Sequence, residues 1–413
     1  MISVNRRVTY ELCPPAEQER LMWQCHKRHC DLYNAALEER ISAYQKTGKS
    51  IGYAAQCRSL TEIRAEHREY SALNAQSAQV TLRRLDLAFR AFFRRVKAGE
   101  EPGFPRFKSY DRFPGFGFKH HGDGFKFEPG PNWRNGTLRL SGIGTMRARG
   151  EARTPGKIVC ADIMRKADGW FLSLVIECEP YRECGNLEAG LDWGVETFTT
   201  LCHGPFQFEE IPNDRLYAQA QDEIKAAQRD LSKALRGKRS KRARRAKRLL
   251  AKRSRHLANR RKDRNHKTAA TLIASHAVIA AEDLSVKNMT ASAKGTAEKP
   301  GRNVRQKAGL NREILDTAPG ALHSLLAYKA EEAGCRLILL DPRKYRPSQV
   351  DPITGEIRKK ALSEREHVLP DGTVIGRDQA AAWVLWRLGQ DILRSERSAA
   401  ATPETVARAA QAA

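Results

Sequence analysis

The chain has 413 residues, 41% of them hydrophobic, which is too long for one core and apolar enough to bury several, so wholesale disorder is excluded. Lys and Arg total 73 against 48 Asp and Glu, a formal charge of +25 that repels itself unless a polyanion neutralises it. Nucleic acid is therefore the leading partner, ahead of a membrane surface, and no apolar run reaches the roughly 18 residues that a bilayer span needs.

Residues 3–12 alternate as a strand (Val4, Val8, Tyr10, Leu12) stopped by Pro14 and Pro15. From Ala16 to about Val96 the pattern turns helical, with Trp23, Leu32, Tyr33, Ala36 and Leu37 at three and four spacing. A strong helix is predicted over Ala75 to Lys97, with Leu82, Leu85, Phe89, Phe92 and Phe93 on one face and Arg83, Arg84, Arg90, Arg94 and Arg95 on the other. Between Phe104 and Pro180 the texture is all-β, Trp170–Cys178 being the clearest strand, and a small barrel completed by the N-terminal strand is expected. Phe104 and Phe107 read as core, as do Trp23 and Trp170, while Trp193 could stack on a base.

An α/β pattern begins at 187–201 and returns at 276–284 and 335–341. Between them, 213–267 is a basic helical segment, expected as a hairpin. Arg242, Arg244, Arg245, Lys247 and Arg248 have almost no acid nearby in sequence. Two readings of that tract stand, a solvated helical face or a phosphate-binding one, and its charge density favours the second.

Three segments far apart in sequence each carry an acid at a strand end or helix start. Asp192 ends an apolar strand in Gly190-Leu191-Asp192-Trp193-Gly194, Glu282 and Asp283 end Ala277–Ala281, and Asp378 opens an alanine-rich helix. Singly, each is an ordinary strand-end or helix-start acid. Together, such carboxylates can hold two hard cations about 4 Å apart for phosphodiester hydrolysis.

The order of these motifs resembles that of the TnpB family of insertion-sequence proteins, relatives of compact type V CRISPR effectors. Tyr33-Asn34-Ala35-Ala36-Leu37, Phe104-Pro105-Arg106-Phe107-Lys108 after Phe92-Phe93, and Gly309-Leu310-Asn311 add to the match, which spans nearly the whole chain. The resemblance implies an α+β multidomain protein. A wedge-like β-barrel (1–15 and 104–186) carries an inserted helical recognition domain (16–103). An RNase H-like (RuvC) domain (187–345 and 376–396) follows, with its basic helical insertion, and 397–413 is a tail.

By the same resemblance Asp192, Glu282 and Asp378 hold two Mg²⁺ ions, or Mn²⁺ in their place, with Asp283 a supporting or capping group, and the partners are a guide RNA and double-stranded target DNA. Gln76 and Gln79 are candidates for reading a short flanking motif, and Arg106 and Lys108 for guide-RNA contact, beside Arg242, Arg245 and Arg248 on the basic helices. The implied activity is RNA-guided DNA cleavage. A guided DNA-binding repressor that does not cut, and a transposase that joins strands, are the alternatives.

The pattern breaks at 346–375, where the family carries a zinc ribbon. The ligand positions fall on Asp351, Thr354, Val368 and Asp371, and His367 reads as a solvated loop residue, so no structural zinc is expected. The nine cysteines are scattered, no two separated by two residues, which predicts neither a disulfide framework nor a zinc knuckle and suggests a reducing, cytoplasmic setting. The start, Met1 to Arg7, has no apolar segment after its charges and is not read as a secretory signal. The last motif has Ala380 and Val384 where the family has asparagines, which bears on helix packing rather than on the acids.

Overall fold

The computed structural model describes residues 3–166, 168–236, 240–296, 298–361 and 364–400. Most of the predicted tail lies outside the described residues. The chain divides into two units, Met1–Glu179 and Pro180–Ala413.

In the first unit, β1 (Val4–Cys13) leads into α1 (Ala16–Thr47), α2 (Tyr53–Glu66), α3 (Arg68–Ser71) and α4 (Ala75–Lys97). Then come β2 (Gly115–Phe118), β3 (Phe125–Pro129), β4 (Arg134–Leu140), β5 (Gly144–Glu151), β6 (Lys157–Lys166) and β7 (Gly169–Cys178). Among the described residues these form one sheet, β2-β6-β7-β1-β5-β4-β3, curled as a half-barrel. The N-terminal strand lies in its middle, so the helices are an excursion that leaves the sheet at its central strand and returns at the edge strand β2. Tyr10, Phe116, Phe127, Leu138, Trp170 and Leu174 fill the inside of the curl, and Trp23 packs against them.

Buried polar contacts tie the helices down. Asn74 caps α4 by accepting from the Ser77 amide at 3.0 Å, and His29 on α1 meets Thr81 Oγ1 at 2.8 Å and Ser77 Oγ at 3.2 Å. Much of the predicted basic face of α4 is neutralised at home. Asp86 pairs with Arg40, Arg83 and Arg90, and Arg84 with Asp162.

Phe104 and Phe107 correct the sequence reading. They are 47% and 54% exposed. Phe104 rests edge-on against Phe89 and Phe92, but no further layer covers that cluster, so apolar character alone did not bury it.

In the second unit, β8 (Leu187–Trp193), β9 (Thr197–Gly204), β10 (Gln207–Pro212), β11 (His276–Glu282) and β12 (Arg336–Leu340) form a sheet in the order β10-β9-β8-β11-β12. β8, β11 and β12 pair in parallel, and β9 pairs antiparallel with both β8 and β10. The helices are α5 (Leu216–Leu235), α6 (Lys241–Ser275), α7 (Val286–Met289), α8 (Val304–Thr317), α9 (Pro319–Ala333), α10 (Pro342–Tyr345) and α11 (Arg377–Ala400), with a hairpin of β13 (Glu366–Val368) and β14 (Val374–Gly376) before α11. The basic segment is the expected hairpin, α5 against α6 through Leu216, Ile224 and Leu257.

Both faces of the sheet are covered, as parallel strands require. Ala189, Leu191, Ile279 and Ala281 face α6 and α9, meeting Leu272, Ile273, Leu322 and Leu326. On the other face Ala280 packs with Leu385 of α11, and Cys202 with Ala382 and Trp383. That second contact is very close. A Cβ on Gly190 would overlap the Ala382 carbonyl and the Trp386 amide, and one on Gly389 would lie 2.9 Å from Ala280 Cβ.

Gly190→Ala is therefore expected to lower the stability of this unit by about 2–4 kcal/mol, because helix and strand must part to admit a methyl group. Denaturant unfolding checks this, and a midpoint equal to the unaltered chain's would contradict it.

Candidate active site

The register of the parallel pair β8–β11 sets Gly190 beside Ala280 and Leu191 beside Ala281. One step on, Asp192 and Glu282 stand at the carboxyl ends of neighbouring strands. Side chains alternate along a strand, so both acids share the face of Gly190 and Ala280, the face against α11. Asp378 lies in the first turn of α11, and a Cβ on Gly194 would come to 3.5 Å from its carboxylate. Three acids separated by some ninety residues each thus converge at one end of the sheet. In α/β sheets that end is where sites form.

Their surroundings push them upward. Asp192 is 8% exposed, and its carboxyl is raised well above the usual carboxylate range by burial first, then by the charges of Glu282 and Asp378, with Arg377 opposing. Burial also raises Glu282 and Asp378, the latter offset by Arg365 and Arg377. Thr200, opposite Asp192 on β9, is buried. Ala380 and Val384 are buried in the α11 packing rather than facing the acids as donors.

Among the described residues no three His, Cys, Asp or Glu side chains already meet as a metal-holding group. The three acids share a face and a field without closing a coordination shell. Their donor chemistry nonetheless fits hard divalent cations. They supply carboxylate oxygens only, and the mutual repulsion that raises Asp192 is what a cation would relieve.

Asp283 turns away from this cluster. It is exposed, and its amide donates to the Leu340 carbonyl at 2.8 Å, tying β11 to β12. Trp193 is half-buried against the core on the α6 and α9 side.

The 346–375 segment corrects one expectation. His367 is 1% exposed, not solvated, and Asp351 is fully buried. His367 Nε2 bonds Asp351 Oδ2 at 2.9 Å, its Nδ1 faces Lys360 Nζ, and Asp351 Oδ1 accepts from the Ile353 and Thr354 amides, both at 2.9 Å. Thr354 and Val368 bring no soft donor, so these residues do not fit a structural zinc. A hydrogen-bonded pair closes the turn instead. The segment is joined to α11 by Arg387, which donates to the Pro352 carbonyl at 2.7 Å and that of Ile353 at 3.1 Å, and by Leu369 and Ile375 against Trp383. Arg365 pairs with Glu196 at 3.6 Å. Sequence reasoning missed this set because an Asp–His contact has no diagnostic spacing.

The nucleic-acid candidates fall in several places and do not gather at the acids. Arg242, Arg245 and Arg248 are exposed on α6, and among the described residues no carboxylate pairs with them. In the first unit Gln79 accepts from Lys119 Nζ at 2.8 Å, while Gln76 is half-buried with its Oε1 unpartnered. Arg106 is exposed. The Lys108 backbone is gripped by Asn34, whose Oδ1 accepts from its amide at 2.8 Å and whose Nδ2 donates to its carbonyl at 2.9 Å. That grip links two motifs that sequence reading noted separately.

The second unit is thus a mixed sheet with helices on both faces, bearing acids on two parallel strand ends and at a helix start. A family model described as "Probable transposase" matches residues 172–293, and one described as "Helix-turn-helix domain" matches residues 1–49, where the structure has a strand and the single helix α1. The chain is 30% identical over 340 residues to "Putative RNA-guided DNA endonuclease InsQ" of Escherichia coli (strain K12), covering 81% of this chain and 79% of that protein. It is 27% identical over 392 residues to a "Putative RNA-guided DNA endonuclease" of Streptomyces pristinaespiralis, covering 92% and 89%. The fold is similar to the protein in a Cas12f1–sgRNA–target DNA complex, with TM-score 0.59 and 12% identity over 93% of this chain and 98% of that one. The chain belongs to the TnpB family. Among the described residues no helix is long and apolar enough to cross a membrane.

Two outcomes are expected of the Asp351–His367 pair. His367→Ala should cost about 1–3 kcal/mol, the penalty for stripping a buried carboxylate of a partner, whereas an excess of chelator should leave the unfolding temperature unchanged. Burial would raise the Asp351 carboxyl, but the Thr354 amide, His367 and the Ile353 amide outweigh it and hold it at about 2 against an ordinary 3.8. Because the folded value is the lower one, this contribution is complete above about pH 4 and fades as pH falls toward 2. Acid titration of unfolding checks it, and an Asp351→Asn variant should flatten that limb.

Proposed function

We propose that this chain is an RNA-guided DNA endonuclease that hydrolyses guide-matched DNA beside a short flanking motif, leaving 5′-phosphate and 3′-hydroxyl ends. The observation that carries the proposal is that Asp192 and Glu282 share the sheet face against α11 and Asp378 opens that helix at the same end, in a chain of this family. Two Mg²⁺ ions, or Mn²⁺ in their place, held by these three acids would supply an activated water and neutralise charge on the leaving oxygen.

The chain's own residues do the rest. The packing of α11 on β8 fixes Asp378 relative to Asp192, and Arg377 offsets the crowding of the acids. Arg242, Arg245 and Arg248 neutralise backbone phosphate without reading sequence. Arg106 and Lys108 serve the guide RNA, and Gln76 and Gln79 the flanking motif, amides being able to bind adenine edges. Base pairing supplies the remaining sequence choice. The division into wedge (1–15 and 104–186), recognition helices (16–103), nuclease (187–345 and 376–396) and loading segment (346–375) belongs to the same proposal, as does a cytoplasmic, nucleoid-associated setting.

The test is plasmid cleavage by the protein with its copurified RNA, against randomised flanking sequences, with Mg²⁺ or EDTA. Cutting confined to guide-matched plasmids is expected, lost in EDTA and reduced about 10³-fold or more in Asp192→Ala. Guide-matched binding without cutting would favour the repressor reading instead. Replacing Arg242, Arg245 and Arg248 together with Ala should reduce the slope of log affinity against log salt by about 2–3. An unchanged slope would remove them from the phosphate contacts.

A further inference from the structure

Beside Glu282 the sheet end opens into a cavity of about 380 Å³. One wall is the turn at Leu284 and Ser285 with α7, which brings Asn288 and Met289. The other is the stretch through and after α10, with Arg343, Arg346, Pro347 and Gln349. The walls part just beyond the Glu282–Leu340 pairing, where the Asp283 amide still holds the Leu340 carbonyl.

The arginines near this end of the sheet divide into two sets. Arg358, Arg365, Arg377 and Arg387 bond backbone carbonyls or pair with acids. Arg343 and Arg346 are exposed at the cavity, and among the described residues no carboxylate pairs with either. Arg346 moreover holds a left-handed backbone, φ 46° and ψ 52°, an uncommon state for a residue with a side chain. The cavity thus offers unspent cations, apolar surface from Met289 and Pro347, two side-chain amides, and one acid, Glu282. That mixture suits a ligand with a phosphate and a flat, partly apolar body.

We propose that this cavity seats one nucleotide of the DNA strand next to the phosphate being cut. Its phosphate would lie on Arg343 and Arg346, and its base against Met289 and Pro347, with Asn288 and Gln349 meeting the base edge. The inference rests on the endonuclease reading and deepens it, because a cavity of one nucleotide's size admits only a base that has left its partner. The strand must therefore be unpaired at the cut, and the base beside the cut should influence the rate.

The test uses the full chain with its RNA and a guide-matched target carrying 5-iododeoxyuridine at successive positions around the cut. Photocrosslinking is done in Asp192→Ala, so it does not depend on cleavage. Crosslinks to residues 284–289 or 342–349 from one or two nucleotides beside the cut are expected, and crosslinks only elsewhere would overturn the proposal. In the otherwise unaltered chain, Arg343→Ala with Arg346→Ala should lower turnover about tenfold to a hundredfold, the scale of a misplaced substrate. Target binding should stay within about twofold, and Lys at both positions should restore most of the rate by keeping the charge. Unchanged cleavage, or binding that falls in step with cleavage, would also overturn it. If the unaltered chain cuts no guide-matched DNA the endonuclease reading fails, and the crosslinks still decide what the cavity holds.

Discussion

The close seating of α11 on β8 and β11 is the constraint on which the second unit depends. Two glycines make it possible, Gly190 on the strand and Gly389 on the helix, each where a side chain would strike the facing element. Small residues at Ala280 and Ala382 continue the contact. Because the helix lies so near, its first turn reaches the carboxyl end of the sheet, and Asp378 comes to the acids already placed there by strand register. A looser helix would leave Asp192 and Glu282 paired by the parallel ladder but deprive them of the third acid. The geometry of the candidate site is therefore a consequence of packing, and the acids themselves add repulsion that the packing must withstand.

The same helix anchors the 346–375 segment, so the site and its neighbour share one support. Elsewhere in the family that segment is expected to fold around zinc, whose binding energy is folding energy. Here a carboxylate with three hydrogen-bonding partners and a buried imidazole fill the equivalent place. Such a pair replaces one strong centre by several modest bonds, each worth about 1 kcal/mol net. Arg387 and the contacts of Leu369 and Ile375 with Trp383 then matter more than they would beside a metal. The segment stays attached because it is bonded to α11, with no centre of its own.

Much of this was legible in the sequence, for identifiable reasons. Alternation marked β1, a near-continuous apolar run marked β7, and apolar runs ending in acids marked β8 and β11, because a parallel strand buried on both faces has little else to show. The extent of α4 was readable from its apolar stripe of Leu82, Leu85, Phe89, Phe92 and Phe93. The burial of Phe104, Phe107 and His367 was not, because burial is decided by what covers a residue, and covering elements lie far away in sequence. Phe104 rests on Phe89 and Phe92 and stays half exposed, whereas His367 found Asp351 across a turn. Gly190 belonged to the recognised motif, but its reason, a helix two hundred residues later, emerged only from the packing.

Charge brings these threads together. A net +25 does not act as a uniform cloud. Arg84, Arg182 and Arg264 are spent inside the fold, on Asp162, on Glu332, and on the Asp316 and Thr317 carbonyls. The cations without a carboxylate partner among the described residues include Arg242, Arg245 and Arg248 on one stretch of α6 and Arg343 and Arg346 beside Glu282. A cation with a carboxylate partner adds little to the field, because the partner cancels it within a few ångströms, whereas the unpaired ones set the potential that a polyanion meets. Under the proposed reading, the α6 arginines would hold a duplex by its backbone and say nothing about sequence. The pair beside Glu282 would handle a single nucleotide at the point of chemistry. The division of labour follows from which arginines the fold leaves without partners, and it is set by the placement of Asp86, Asp162, Asp316 and Glu332 as much as by the arginines themselves.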